Sequence, residues 1–148
     1  YDSAKGVQSF LVGTPPVISM SILDEALNVF EGVCMSAVRD KSVALCETFI
    51  GLLGSLDLFE EFSLISPIES EQRGSQVSVA HPNAYAICQA LIAKNIIADF
   101  RAPEVLRFGF TPLYTSFEDV WHAVQCLKNI MQEQEYLKPE YQTKSKVT

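Results

Sequence analysis

The sequence predicts an α+β domain of two layers, in which a small antiparallel or mixed sheet has its helices packed on one face. Apolar residues recur at helical spacing in four segments of the chain. Four further short segments have the alternation or the β-branched content of strands. The predicted order along the chain is helix, helix, strand, strand, helix, strand, strand, helix.

The first half of the chain carries the first two predicted helices. Residues 9–12 have the composition of an extended segment. The prolines of Gly13-Thr14-Pro15-Pro16 predict a helix start, because proline is best tolerated in a helix's first turn. This helix is expected to end near Gly32, and a second one to run from about Met35 to Leu53. The apolar stripe of the first helix comprises Ile18, Ile22, Leu23, Ala26, Val29 and Phe30.

Strands and a third helix follow. Residues 62–66 and 75–80 are predicted strands, and a helix is expected over 84–94. Asn95 suits the left-handed position that often ends a helix.

The last part of the chain is expected to form a hairpin and a final helix. Residues 96–100 are predicted to pair with the strand around Arg107, across the turn Ala102-Pro103. Ser116 is predicted to cap the final helix, with Asp119 completing a capping box. The stripe expected to be buried on this helix comprises Phe117, Val120, Trp121, Val124, Leu127, Ile130 and Met131.

One permanent cation, Arg107, lies inside an otherwise apolar segment, residues 104–114. Leu106, Phe108 and Phe110 alternate onto one face of the predicted strand, so Arg107 and Gly109 point to the other. Gly109 has no side chain to cover the backbone, and a guanidinium beside it can bind a carboxylate through two parallel hydrogen bonds. From spacing alone, two interpretations stay open: an anion site, or a pair between Arg107 and an internal Asp or Glu.

A second candidate is Gly13-Thr14, placed before the first helix. The hydroxyl and the free amides there suit a phosphate oxygen. The alternative is that Thr14 only caps the helix.

The composition excludes several classes of function. A chain of 148 residues with 48% hydrophobic content fits one folded domain, and its net charge of -7 argues against nucleic acid binding. No apolar run approaches the ~18 residues of a membrane span and no signal peptide is recognisable, so a cytoplasmic location is expected. With two histidines and no CxxC pair, no metal site is expected.

The remaining reactive residues fit structural roles. The four cysteines, Cys34, Cys46, Cys88 and Cys126, are expected to be reduced core residues. His81 is expected in a surface turn and His122 on the polar side of the last helix, whereas Trp121 is expected in the core. The sequence has neither a GxSxG elbow nor a phosphate loop, so no self-contained catalytic set is predicted.

Longer motifs carry a family resemblance. The segments that carry it are Arg73–Ser78, His81-Pro82, Tyr85–Ile92, Ile97–Pro103, Leu106–Tyr114 and Phe117–Trp121. With Gly13-Thr14-Pro15-Pro16 and the end Val147-Thr148, these segments extend over nearly the whole chain, which resembles the C-terminal part of bacterial kynureninases. Departures stand at Ser9, where many bacterial members have a basic residue, and at Asn83-Ala84, in place of Glu-Gly.

The resemblance implies a function and a set of site residues. Kynureninases are homodimeric pyridoxal phosphate enzymes of the aspartate aminotransferase fold, and they hydrolyse L-kynurenine to anthranilate and L-alanine in tryptophan catabolism and NAD biosynthesis. Carried over to this chain, Arg107 would hold the α-carboxylate of the substrate. Thr14 would contact the cofactor phosphate from the neighbouring subunit.

The resemblance also implies which parts are absent. The lysine that forms the Schiff base and the aspartate that pairs with the pyridinium nitrogen would lie upstream of Tyr1, so no catalytic residue is expected in this chain and the chain alone should be inactive. Residues 1–15 would be a remnant of the large cofactor domain, 16–137 the small domain, and 138–148 a polar tail. Such a domain is expected to expose an apolar patch and to self-associate.

Two other interpretations remain. One is the small domain of another enzyme of the same fold, such as a cysteine desulfurase. The other is a stand-alone α+β module that binds an amino acid or a partner protein.

Overall fold

The structure is a computed structural model that describes residues 4–11 and 13–143. The chain divides into two compact units, Tyr1–Cys34 and Met35–Thr148, and each is considered by itself. The predicted boundaries at 15/16 and 137/138 refer to a longer protein, so this division does not test them.

The regular structure described in the first unit is helical. A 3-10 helix spans Gly6–Phe10, α1 spans Val17–Leu27, and a further 3-10 turn covers Asn28–Phe30. The prediction of an extended segment at 9–12 is wrong for residues 9 and 10, whereas Leu11 has extended backbone angles and Val12 lies outside the described residues. Gly6 has a positive φ of 68° and Ser9 donates its hydroxyl to the Gly6 carbonyl at 2.7 Å, two local features that favour a turn over a strand.

The second unit contains a four-stranded antiparallel sheet in the order β1-β2-β4-β3. The strands are β1 Ser63–Leu64, β2 Gln76–Ala80, β3 Asp99–Arg101 and β4 Val105–Gly109. The predicted hairpin is confirmed as β3 and β4, with Asp99 directly opposite Arg107. On its other side β4 pairs with β2, and Ser78 lies opposite Arg107.

Three long helices cover one face of this sheet. They are α2 Met35–Ser55, α3 Ala84–Ala93 and α4 Phe117–Gln132, and a short α5 follows at Pro139–Gln142. Phe49 of α2 lies 4.7 Å from Phe108 of β4 between ring centroids. Other fully buried residues join this core: Leu45, Leu53, Val77, Val79, Ile87, Leu91, Leu106, Val124, Leu127 and Ile130. The predicted α+β class, with helices on one face, is confirmed.

The ends of the helices follow local chemistry. Asn95 has φ of 63°, which confirms the predicted left-handed residue after α3. At α4, the Ser116 hydroxyl accepts from the Asp119 amide at 3.1 Å and the Asp119 carboxylate accepts from the Ser116 amide at 2.7 Å. This is the predicted capping box.

Three predictions about which side chains are buried need correction. Trp121 is 52% exposed and Phe117 is also exposed, because the buried stripe of α4 begins at Val120 and these two residues lie beside it. His81 is buried instead of lying in a surface turn, packed 5.1 Å from Phe62 between ring centroids. Cys34 is exposed, while the other three cysteines are buried, as predicted.

The region predicted as a polar tail is ordered at its beginning. Tyr141 of α5 packs on the core, and the Tyr85 hydroxyl donates to the Thr143 carbonyl at 3.1 Å. No helix in the described ranges is both long and apolar enough to cross a membrane. Nor do these ranges bring together three or more side chains that could hold a metal ion.

Candidate functional site

The candidate site lies on the face of the sheet that the helices leave uncovered, which we call the open face. Because side chains alternate along a strand, the residues of β4 that do not enter the core point to this face, and so do their partners on β2 and β3. The open face consists of Gln76, Ser78, Ala80, Asp99, Arg101, Val105, Arg107 and Gly109.

Arg107 is held by Asp99. The Asp99 Oδ2 atom accepts from Arg107 Nε at 2.7 Å and also from Nη2. Of the two interpretations left open by the spacing, the structure shows the pair between Arg107 and an acid of the same chain. The pair is accessible to solvent, because the Arg107 side chain is 30% exposed and that of Asp99 is 50% exposed.

Part of the guanidinium stays available. An arginine has five N–H groups, and Asp99 takes only those on the Nε side. Within the described parts of the chain, Nη1 donates to no protein atom. The edge formed by Nη1 and Nη2 can still present two parallel donors to an incoming carboxylate.

The open face also has an excess of positive charge around Arg107. Arg101 Nε lies 3.3 Å from the same Asp99 oxygen, so two cations share one anion at the β3–β4 edge. The net charge of this cluster is +1, although the whole chain carries -7. An anionic ligand would therefore meet a local attraction here.

Packing on the other face of β4 fixes the position of the arginine. Leu106 and Phe108, the neighbours of Arg107 in β4, are buried. Beyond β4, the Phe110 amide donates to the Ser75 carbonyl at 2.8 Å and Lys41 Nζ donates to the Pro112 carbonyl at 2.7 Å. The strand that carries Arg107 is thus anchored at its end by β2 and α2.

A second arginine, Arg73, has a contrasting environment. Its guanidinium is almost fully buried and pairs with Glu47 of α2. Nη1 also donates to the carbonyls of Pro67 at 2.7 Å and Ile68 at 3.0 Å. Arg73 is thereby committed to joining a loop to α2, which leaves Arg107 as the better candidate for ligand binding.

His81 is also committed to the fold. Its Nδ1 accepts from the Asn83 amide at 2.9 Å, just before α3 begins. Burial lowers the pKa of His81, with a smaller opposing effect from the charge of Glu61. A neutral, buried imidazole in this setting supports the turn and does not face the open face of the sheet.

Thr14 lies in the first unit and is exposed. The alternative role predicted for it, capping the helix, is wrong: α1 begins at Val17, its N-cap is Pro16, and that cap receives no side-chain hydrogen bond. Within the described ranges, the Thr14 hydroxyl has no hydrogen-bond partner. Its availability is compatible with a phosphate contact, which stays a prediction.

Asp99 is the site residue that the sequence did not single out. A signal for it exists, because a hairpin centred on Pro103 places residues 99 and 107 opposite each other. The sequence predicts the hairpin and leaves an acidic partner of Arg107 as one interpretation, and the register of the hairpin connects the two.

Comparisons with known proteins identify the family. Residues 38–127 match the family model described as the kynureninase C-terminal domain. The chain is 44% identical over 148 residues to a kynureninase of Burkholderia mallei strain SAVP1 and 40% identical to one of Pseudomonas fluorescens. Each alignment covers the whole chain but only 36% of the relative's length.

A solved structure shares the fold. A NifS-like protein matches 89% of this chain with a TM-score of 0.59 at 19% sequence identity, and the match covers 38% of that protein. At this identity the likeness concerns the fold alone. The family model covers more than half of the chain, from within α2 to within α4, and the chain belongs to the kynureninase C-terminal domain family.

Proposed function

We propose that this chain is the substrate-carboxylate-binding domain of a kynureninase, a pyridoxal phosphate enzyme that hydrolyses L-kynurenine to anthranilate and L-alanine. The observation that carries the proposal is Arg107, a partly exposed guanidinium with one free edge on the open face of the sheet. The family match over residues 38–127 supports this assignment, since it includes Arg107. The enzyme would act in the cytoplasm as a homodimer.

In this proposal Arg107 binds the α-carboxylate and thereby orients the amino acid part of the substrate. Two parallel hydrogen bonds define the plane of the carboxylate as well as its position. A fixed carboxylate restricts rotation of the substrate, which is the contribution that positioning makes to rate.

The cofactor would contact this chain at Thr14. A hydroxyl that neither caps α1 nor bonds to another described residue can serve a phosphate oxygen, and in the homodimer it would serve the site of the neighbouring subunit. Pyridoxal phosphate, when bound, supplies an electron sink that stabilises negative charge on the α-carbon of the substrate. The lysine that anchors the cofactor and the aspartate that pairs with its ring nitrogen would come from the rest of the longer protein.

The test is turnover of L-kynurenine, followed by the fluorescence of anthranilate. We expect activity in the longer protein that carries this sequence and none in the 148-residue chain alone. The chain alone should also retain no pyridoxal phosphate after borohydride reduction. Absence of turnover in the longer protein, or covalent cofactor on the short chain, would contradict the proposal.

A further inference from the structure

We propose that Asp99 is a positioning residue for Arg107: it fixes the guanidinium so that the Nη1 edge faces the substrate carboxylate. This inference rests on the proposed function of Arg107. The relevant geometry is the β3–β4 register, which places Asp99 directly opposite Arg107 on the same face of the sheet.

The contacts define the orientation of the guanidinium. Oδ2 of Asp99 accepts hydrogen bonds from both Nε and Nη2 of Arg107, so a single carboxylate oxygen binds two nitrogens on the Nε side of the guanidinium. A single contact would leave the long side chain free to rotate about its terminal bonds, whereas two contacts from one planar group restrict that rotation.

The side that Asp99 occupies matters for the ligand. Because Asp99 takes the Nε side, the two-donor edge between Nη1 and Nη2 stays open, and this edge fits a carboxylate. If Asp99 were instead a competitor for the substrate, it would have to cover this edge.

The charge balance is compatible with the same role. Asp99 partly neutralises Arg107, but Arg101 lies 3.3 Å from the same carboxylate and compensates for it. The site therefore keeps a positive excess while the orientation of Arg107 is held.

The pair is suited to an experiment because its removal should leave the fold intact. Half-exposed ion pairs contribute little to stability. Asp99 also lies on the open face, so its truncation leaves no cavity in the core. Thermal unfolding of each variant would verify this point.

The experiment compares Asp99→Ala, Asp99→Asn and Arg107→Ala in the longer enzyme. Asp99→Ala should raise KM for L-kynurenine about three- to tenfold, the cost of ordering one long side chain on binding, while kcat changes less than about twofold. Asp99→Asn keeps an oxygen acceptor for Nε and should recover most of this loss. Glu135→Ala is the control: it removes the acid of a different ion pair, the mostly buried partner of Lys94, and should leave KM unchanged.

The outcomes separate this inference from the proposed function. If Arg107→Ala raises KM but Asp99→Ala leaves it unchanged or lowers it, Asp99 does not position the arginine and only this inference is overturned. Equal effects of the Ala and Asn variants would also overturn it, because the hydrogen-bond acceptor would then be irrelevant. If Arg107→Ala itself leaves KM unchanged, the proposed function and this inference both fail.

Discussion

At the scale of single residues, two arginines and a buried histidine of the chain have distinct environments. Arg73 is buried and bonded to Glu47 and two backbone carbonyls, whereas Arg107 is partly exposed with one edge open. His81 is buried and supports the turn before α3. Burial and partners, more than residue type, therefore distinguish a side chain that holds the fold from one that can hold a ligand.

His81 gives a prediction on pH dependence. Burial lowers its pKa in the folded state below the ordinary value of 6.5, so the unfolded state binds the proton more readily. Stability should be full above about pH 7 and should fall as the pH drops through about 6.5 towards the folded-state pKa. Denaturant unfolding between about pH 8 and 5 measures this slope.

The matched variants are His81→Asn and His122→Asn. In His81→Asn the introduced amide oxygen would keep an acceptor for the Asn83 backbone N–H, but the ring contact with Phe62 would be lost. The variant should therefore be less stable at about pH 8. Its stability should depend less on pH, because the buried imidazole is gone. His122 is exposed, and its replacement controls for the loss of an imidazole that is not buried. An unchanged slope in His81→Asn would contradict the role given to burial.

At the scale of elements, the capping box of α4 is the best-defined local signal in the chain. The side chains of Ser116 and Asp119 satisfy each other's backbone amides at 3.1 and 2.7 Å. The pKa of Asp119 is lowered by the hydrogen bonds from the Ser116 amide and hydroxyl. This pair fixes where α4 starts and thus which of its residues enter the core.

Ser116→Ala should therefore destabilise the domain by about 1 kcal/mol, the usual effect of losing an N-cap side chain. The control is Ser55→Ala, at an exposed hydroxyl that bonds to the Leu52 carbonyl at the end of α2. It should change the free energy of unfolding by less than about 0.5 kcal/mol. Equal effects of the two substitutions, measured by urea unfolding, would argue that the cap does not stabilise α4.

Sequence patterns predicted the elements well where local rules decide them. Asn95 and the Ser116–Asp119 box were predicted because their chemistry is local, and the β3–β4 hairpin because its turn is short. Trp121 was placed wrongly, since its burial depends on how α4 is rotated against the sheet, and spacing defines that rotation only to within about one residue.

The candidate site was predicted in part. The alternation in β4 correctly put Arg107 opposite the core face. Predicting Asp99 as its partner requires the strand register, because a slip of one residue would place a different residue opposite Arg107. The role proposed for Thr14 would involve a cofactor and a second subunit, so it goes beyond what local sequence pattern predicts.

At the scale of the whole molecule, the chain spans 36% of the length of the curated relatives it matches. The apolar residues of α1 are exposed, as are Phe117 and Trp121 on one side of α4. Apolar side chains are thus exposed in both units, while a contiguous apolar patch and self-association stay predictions. Arg107 would serve in the longer enzyme as one wall of a site whose cofactor is held elsewhere.

The most direct measurement is the affinity of the longer enzyme for L-kynurenine and for an analogue that lacks only the α-carboxylate, in the native protein and in Arg107→Ala. If Arg107 binds that carboxylate, the native enzyme should prefer L-kynurenine by about 30- to 1000-fold, the value of roughly 2 to 4 kcal/mol for a charge-assisted pair. Arg107→Ala should reduce this preference to less than about fivefold, with Arg107→Lys in between. Arg39→Ala, which removes an exposed cation of α2, is the matched control. A preference that survives in Arg107→Ala would contradict the assignment of Arg107 as the carboxylate-binding residue.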